Sequence, residues 1–443
     1  MAPTMLASTA HSVPDPNVWF IAPFALLLLS ISIAPFINGE WWGNHYGKVA
    51  VSLGLIVVAY YVFGLQSPVR VLHTLLDYVS FMALIGSLFI VAGGIHITVK
   101  GEAKPWMNVV FLTIGAVLAN VVGTTGASML LIRPWIRMNK FRYTYFHTAF
   151  FIFIVSNCAG CLTPIGDPPL FLGYLKKVPF FWELERLWAP WLFVILSLLA
   201  VFFVFDTLDY KRVPAEVARV ETAHETWKFD GLHNLIFLGV ILFGVFLPPG
   251  WREATMIAGA LLSYFTTSKN THEANHFTFH PIQEVGWLFF GIFLTMLPAL
   301  DYLTRHAGEL GINQPIHYYF ISGALSSVLD NAPTYLTFLA AAISQHTNPL
   351  TLQPLNLDVA SDMAIFLQVG VPELVAISLG SVFFGAMTYI GNGPNLMVKS
   401  VVDHAKCKSP HFLEYIYKFS VPILLPILAL AGYLFLIVFR SGT

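Results

Sequence analysis

The chain alternates long apolar runs with short polar connectors. The first run, 17–36, has twenty residues without a charge, enough to cross a hydrocarbon core. Further runs cover 49–66, 72–99, 105–132, 145–174 and 188–205. A polar connector over 206–230 follows, with Lys211, Arg212, Glu216, Glu221, Glu225 and Lys228. Six more runs cover 232–248, 254–266, 285–300, 316–343, 374–402 and 420–439. The pattern predicts six membrane elements, a linker and six more.

Four of these runs carry residues that break a plain membrane helix. Segments 160–169 (GCLTPIGDPP) and 385–394 (GAMTYIGNGP) share Gly, Thr, Ile, Gly and Pro at five aligned positions. The runs before them hold turn strings: Gly123-Thr124-Thr125-Gly126 in one, Asp330-Asn331-Ala332-Pro333 in the other. Two shorter correspondences precede the repeat, Gly86–Phe89 with Gly286–Phe289 and Leu118–Val122 with Leu325–Leu329. The offsets are 200, 207 and 225, in the same order along both halves. Three ordered matches indicate a duplicated unit, and paired helix breaks inside a bilayer point to a binding site.

Charge decides how the fourth element of each half runs, because Lys and Arg favour cytoplasmic loops. If both elements dip in and return, one face holds 16 of the 23 basic residues and the other holds seven: Arg70, Lys176, Lys177, Arg186, Arg252, Arg305 and Arg440. If both cross, the split is 12 to 11. The hairpin arrangement is therefore expected. Each half then has five crossings, so the halves are inverted and both termini lie outside. The expected fold is an all-α polytopic membrane protein of two inverted repeats, each with five transmembrane helices, a re-entrant hairpin and a broken helix. The expected division is a tail over 1–16, repeat 1 over 17–207, a cytoplasmic linker over 208–230 and repeat 2 over 231–443.

Composition narrows the function. Of 443 residues, 56% are hydrophobic and 11% charged, and mean hydropathy is +0.70. A formal net charge of −1 leaves no basic field for nucleic acid. Residues 1–16 carry no Lys or Arg, so the first run reads as a span, not a cleavable leader. Three cysteines are too few for a disulfide scaffold. Cys158-Ala159-Gly160-Cys161 raises a membrane thiol oxidoreductase as another class, but Cys407 alone remains for relay, and packing in a broken helix explains the string better. His272, His276 and His280 recur every four residues, yet Asn270, Asn275 and Pro281 place them in a polar loop, where metal binding is the weaker reading. Trp41, Trp42 and Trp188 stand at run edges, where Trp anchors the interface.

Segment 156–169 (SNCAGCLTPIGDPP) resembles the broken-helix motif of the ion transporter superfamily, which includes NhaD-type Na+/H+ antiporters, arsenite efflux permeases and citrate and dicarboxylate transporters. The Gly-rich segment 385–395 is similar to the family's second copy. The resemblance covers both halves. It implies a homodimer with a scaffold and a mobile transport domain, working by elevator-type alternating access. The dicarboxylate branch carries Ser-Asn-Thr at each hairpin tip, where this chain has Gly123-Thr124-Thr125 and Asp330-Asn331-Ala332. Asp330 resembles the cation-antiporter branch.

An ionised Asp at a membrane centre costs about 3 kcal/mol, so Asp330 and Asp167 need a reason to be there. A capping role is the bland one. The functional one is exchange: burial favours the proton-bound carboxyl and a cation favours the carboxylate, so one acid holds H+ or Na+ but not both. The remaining candidate ligands are Thr124, Thr125, Asn157 and Thr163 in one half, and Asn331, Thr334, Thr388, Asn392 and Asn395 in the other. Thr163 and Thr388 rank first because they recur. No Lys or Arg lies deep in any run, which favours a cation over a polyanion. The expected function is Na+ (or Li+)/H+ antiport in the plasma membrane, with no cofactor and with lipid and a small ion as partners. The alternative is a cation-coupled citrate or dicarboxylate symporter.

Overall fold

The computed structural model describes residues 14–98, 104–212, 228–306, 308 and 311–439. Expectations for residues 1–13, Lys100, Arg440 and the linker residues 213–227, with Glu216, Arg219, Glu221 and Glu225, lie outside these. The protein is an all-α polytopic membrane protein. Eight helical spans among the described residues are long and apolar enough to cross a membrane, the shortest having 18 residues. Outward-facing apolar side chains such as Leu196, Phe203, Ile236 and Phe265 are what a lipid solvent requires. The strands among the described residues are β1 (His96–Thr98) and β2 (Lys228–Asp230), which pair antiparallel with His96 opposite Asp230.

The runs 17–36 and 49–66 are not separated by a loop. The helical stretch α1 (Ala22–Ala59) takes in most of both as two helices that meet at a kink, where Asn38 leaves helical geometry. The Asn38 side chain accepts the Trp41 N–H at 3.0 Å, so it caps the second helix and lets it start directly against the first. α2 (Pro68–Gly93) follows.

α3 (Pro105–Met138) turns at Gly123, whose φ of +78° is open to glycine without strain. Its two arms lie side by side. Asn108 and Asn139 exchange amide hydrogen bonds of 2.8 and 3.1 Å, and the Phe111 and Trp135 rings are 5.7 Å apart. Along a straight helix Asn108 and Asn139 would stand about 46 Å apart. The chain therefore enters and leaves on one side.

The broken helix of the first half consists of α4 (Tyr145–Ile154), a 3-10 turn (Cys158–Leu162) and α5 (Pro168–Leu175). α6 (Trp182–Tyr210) runs past the expected linker start. Asp206 is not a solvated linker residue. It is fully buried, hydrogen-bonded by Arg142 and by Asn108 at 2.8 Å, and 3.2 Å from His147.

The second half has α7 (Asn234–Val245), α8 (Trp251–Thr266), α9 (Lys269–Ala274), α10 (His280–Thr295) and α11 (Leu297–His306). The expected polar loop around His272 is thus partly helical, capped by Ser268, and the His272 ring packs on Tyr264 and Phe277. A second reversal joins α12 (Pro315–Ser326) to α13 (Asn331–Ser344). The Tyr318 and Phe338 rings are 6.4 Å apart, against about 30 Å along a straight helix. A helix with no counterpart in the sequence reading, α14 (Ala360–Val369), meets α15 (Val371–Phe384) at a bend of 94°. α15 leads through Gly385–Met387 into α16 (Gly393–His404). A last span covers Phe412–Val438.

Contacts between the halves come in reciprocal pairs. α1 packs on α10 and α2 on α8. The first hairpin α3 packs on α16, while α13 of the second hairpin packs on α5. Each hairpin therefore sits against the other half's broken helix.

Candidate functional site

Asp167 and Asn392 hold equivalent places. Each precedes the second arm of its broken helix, with φ, ψ of −144°, 142° and −155°, 139°. The glycines upstream make the bends tight: a Cβ on Gly166 would strike the Gly160 carbonyl, and one on Gly391 the Gly385 carbonyl.

The recurring threonines fasten each bend to the neighbouring hairpin tip. Thr163 Oγ1 donates to the Asn120 carbonyl at 2.6 Å and accepts the Gly166 N–H at 3.0 Å. Thr388 Oγ1 donates to the Ser327 carbonyl at 2.6 Å and accepts the Ile390 and Gly391 N–H groups at 3.1 and 3.3 Å. Asn120 and Ser327 are the residues that the 207 offset aligns. The first tip gains another bond, from the Thr124 N–H to the Gly166 carbonyl at 2.8 Å.

These joints gather side chains from both halves around Asp167, which is 1% exposed. Its Oδ1 accepts from Thr124 Oγ1 at 2.7 Å and Asn392 Nδ2 at 3.1 Å, and its Oδ2 accepts from Asn331 Nδ2 at 2.6 Å. All three donors are neutral. Beside the cluster, Asn157 Nδ2 donates to Asn395 Oδ1 at 2.6 Å and to the Ile152 carbonyl at 2.9 Å. Asn395 Nδ2 binds the Gly385 and Thr388 carbonyls, both at 2.9 Å. Asn331 Oδ1 and Asn157 Oδ1 are left buried without a donor among the described residues. The Asn331 orientation is fixed by Asp167, since a flipped amide would set oxygen against carboxylate.

Asp330 stands apart from this cluster. It caps α13, its Oδ1 accepting the Ala332 N–H at 3.0 Å, and Thr334 Oγ1 donates to its carbonyl at 2.9 Å. With Thr125 and Asn392 it borders a cavity whose other walls include Ile85, Phe89 and Phe289. The structure thus joins Thr124, Asn331 and Asn392 to Asp167. It pairs Asn157 with Asn395, turns Thr163, Thr388 and Thr334 to backbone, and sets Asp330 and Thr125 on the cavity.

Two features escaped the sequence. Asn120 caps the first bend, its Oδ1 accepting the Leu162 N–H at 2.9 Å; one carboxamide in an apolar run gave only a weak signal. The Asp206 network joins residues far apart in sequence. Cys158 and Cys161 are free and buried, and no metal-binding group of three His, Cys, Asp or Glu occurs among the described residues.

No curated protein matches the chain. Residues 13–436 match the family described as "Putative citrate transport". With that match over nearly the whole chain, and with helices that span a membrane, the chain belongs to this citrate transporter-like family of the ion transporter superfamily and is a secondary transporter, not an enzyme.

Proposed function

We propose that the protein exchanges Na+ (or Li+) for H+, with Asp167 and Asp330 as the acids that alternate between cation and proton. The observation that carries this reading is the donor set around Asp167. A carboxylate bonded by three neutral groups keeps its charge uncompensated in a low-dielectric site. Two buried amide oxygens, Asn331 Oδ1 and Asn157 Oδ1, stand beside the cluster without a donor. A hard cation needs oxygen ligands, and these oxygens, the carboxylate and Thr124 Oγ1 supply them. Asp330, on the cavity wall, is the acid a cation meets first.

The reciprocal packing supports two inverted repeats over 17–207 and 231–443, joined by a cytoplasmic linker, with both termini outside and the protein in the plasma membrane. Alternating access then moves the hairpins and broken helices as a body against α1, α2, α8 and α10, in the elevator manner. A homodimer would hold the scaffold still.

The family description favours a second reading, cation-coupled citrate or dicarboxylate uptake. α13 and α16 direct N-terminal ends toward the cavity, and such ends attract anions. Reconstitution into proteoliposomes separates the two. An Na+ gradient that drives proton flux with no organic anion present supports exchange. No proton flux, together with labelled citrate uptake, establishes the alternative and refutes the antiport.

A further inference from the structure

Glu183 stands in the first turn of α6, fully buried. Apart from its own backbone amide, neither carboxyl oxygen has a hydrogen-bond partner among the described residues. No Lys, Arg or His among them pairs with it, and its sequence neighbours Glu185 and Arg186 are exposed. The ionisable groups set against it are the Cys161 thiol, on the turn Cys158–Leu162, and the Tyr335 hydroxyl, on α13. The other charged groups facing α6, Arg142 and His147, gather with Asp206 at the far end of the helix. That end lies about 35 Å away at a helix's rise per residue. α15 contributes Glu373, which acts on Tyr318.

A lone buried carboxylate is too costly to persist, so the group holds a proton. It is also not alone in lacking a partner. The Tyr335 hydroxyl and Ser378 Oγ, within reach of each other, are buried with no further partner among the described residues. Several orphaned polar groups in one place mark a site for water. Tyr335 and Asn331 are four residues apart on α13 and share one face, and Asn331 bonds Asp167. The Tyr335 hydroxyl lies against α5 as well, where a Cβ on Gly173 would strike it. Tyr335 thus lies within electrostatic reach of Glu183 and one helical turn from Asn331, a donor to Asp167.

We propose that Glu183 is a proton-binding site that supplies Asp167 from the face where Lys176 and Arg186 lie. This deepens the proton-exchange reading and rests on it. When Asp167 gives up its cation, the Glu183 O–H bond breaks. The proton passes through water at the Tyr335 hydroxyl to an Asp167 carboxylate oxygen, and solvent at the near face reprotonates Glu183.

The test is Glu183→Gln in proteoliposomes, read two ways. Na+-driven proton flux falls about a hundredfold or more, the scale set by loss of a positioned proton carrier, while exchange of labelled for unlabelled Na+, which moves no proton, keeps its wild-type rate. Infrared difference spectra of the purified protein at neutral pH lose one protonated-carboxyl band in Glu183→Gln, and Glu183→Asp retains both band and flux. Unchanged proton flux, loss of both transport modes together, or no lost band would each overturn the proposal. The infrared result stands even if wild type moves no protons, so failure of the antiport reading is told apart from failure of this one.

Discussion

At the residue scale, Asp167 carries the largest consequence. Asp167→Asn keeps the side-chain shape but sets an amide N–H2 against Asn331 or Asn392. It is expected to abolish Na+-dependent flux while the protein still inserts and purifies. Flux at a tenth or more of the wild-type rate would remove Asp167 from the ion path. Asp330→Asn is expected to abolish exchange too, and Asp330→Ala additionally to cost about 1 kcal/mol through the lost cap of α13. Thr388→Val deletes a bond to Ser327 and leaves two N–H groups bare. A loss of about 1–3 kcal/mol is expected, read as a lower unfolding midpoint in detergent. The repeat made Thr163 and Thr388 legible as important, but not their task. They fasten backbone to backbone, and the donors to Asp167 come instead from Thr124, Asn331 and Asn392. Sequence cannot rank such neighbours, because the partners lie 43, 164 and 225 positions away.

At the element scale, the two reversals were marked by Gly123, which takes a positive φ, and by Asp330-Asn331-Ala332-Pro333, an N-cap followed by a Pro in the first helical turn. The fold-back also left a count of basic residues that only one arrangement explains. Other boundaries were hidden for physical reasons. Asn38 separates two spans by capping one directly onto the other, with no polar loop to read. Asp206 looked like the first linker residue, because an acid is taken as exposed unless its partner is known. Its partner Arg142 comes from the segment after the first hairpin and is itself buried. Breaking a buried pair by removing one member costs about 3–5 kcal/mol. Asp206→Asn is therefore expected to lower the unfolding midpoint far more than neutralising the exposed Lys228–Asp230 pair. Equal effects would show that the base of the first hairpin is solvated.

At the scale of the whole molecule, one charged cluster ties α2 to α11 and to the end of α5. Arg70 on α2 bonds Asp301 of α11 at 2.5 Å and also pairs with Asp358. Lys176, just past α5, reaches Asp77 of α2 and Asp358, each at 2.7 Å. Burial works to raise the Asp358 carboxyl, but Lys176 and then Arg70 outweigh it and hold it well below the usual range. Burial works to lower Lys176, and Asp358 and Asp77 outweigh it and hold the ammonium above its ordinary value. The depressed acid contributes stability above its ordinary value and loses it only as pH falls toward its folded one. The raised base contributes below its ordinary value and loses it only as pH rises through its folded one. Both windows are open near neutrality. The stability difference between wild type and Asp358→Asn is thus expected to stay constant between about pH 5 and pH 9. A difference that changed across that range would make the cluster a pH switch. The Asp358–Lys176 pair is then no source of pH dependence in transport near neutrality.

The central claim is that one site holds either a cation or a proton. The most direct measurement is proton release from the purified protein in weakly buffered solution as Na+ is added. Wild type is expected to release protons as it binds Na+, with apparent affinity that rises with pH, and both Asp167→Asn and Asp330→Asn are expected to release none. Na+ binding without proton release, or equal release from wild type and Asp167→Asn, would contradict the account.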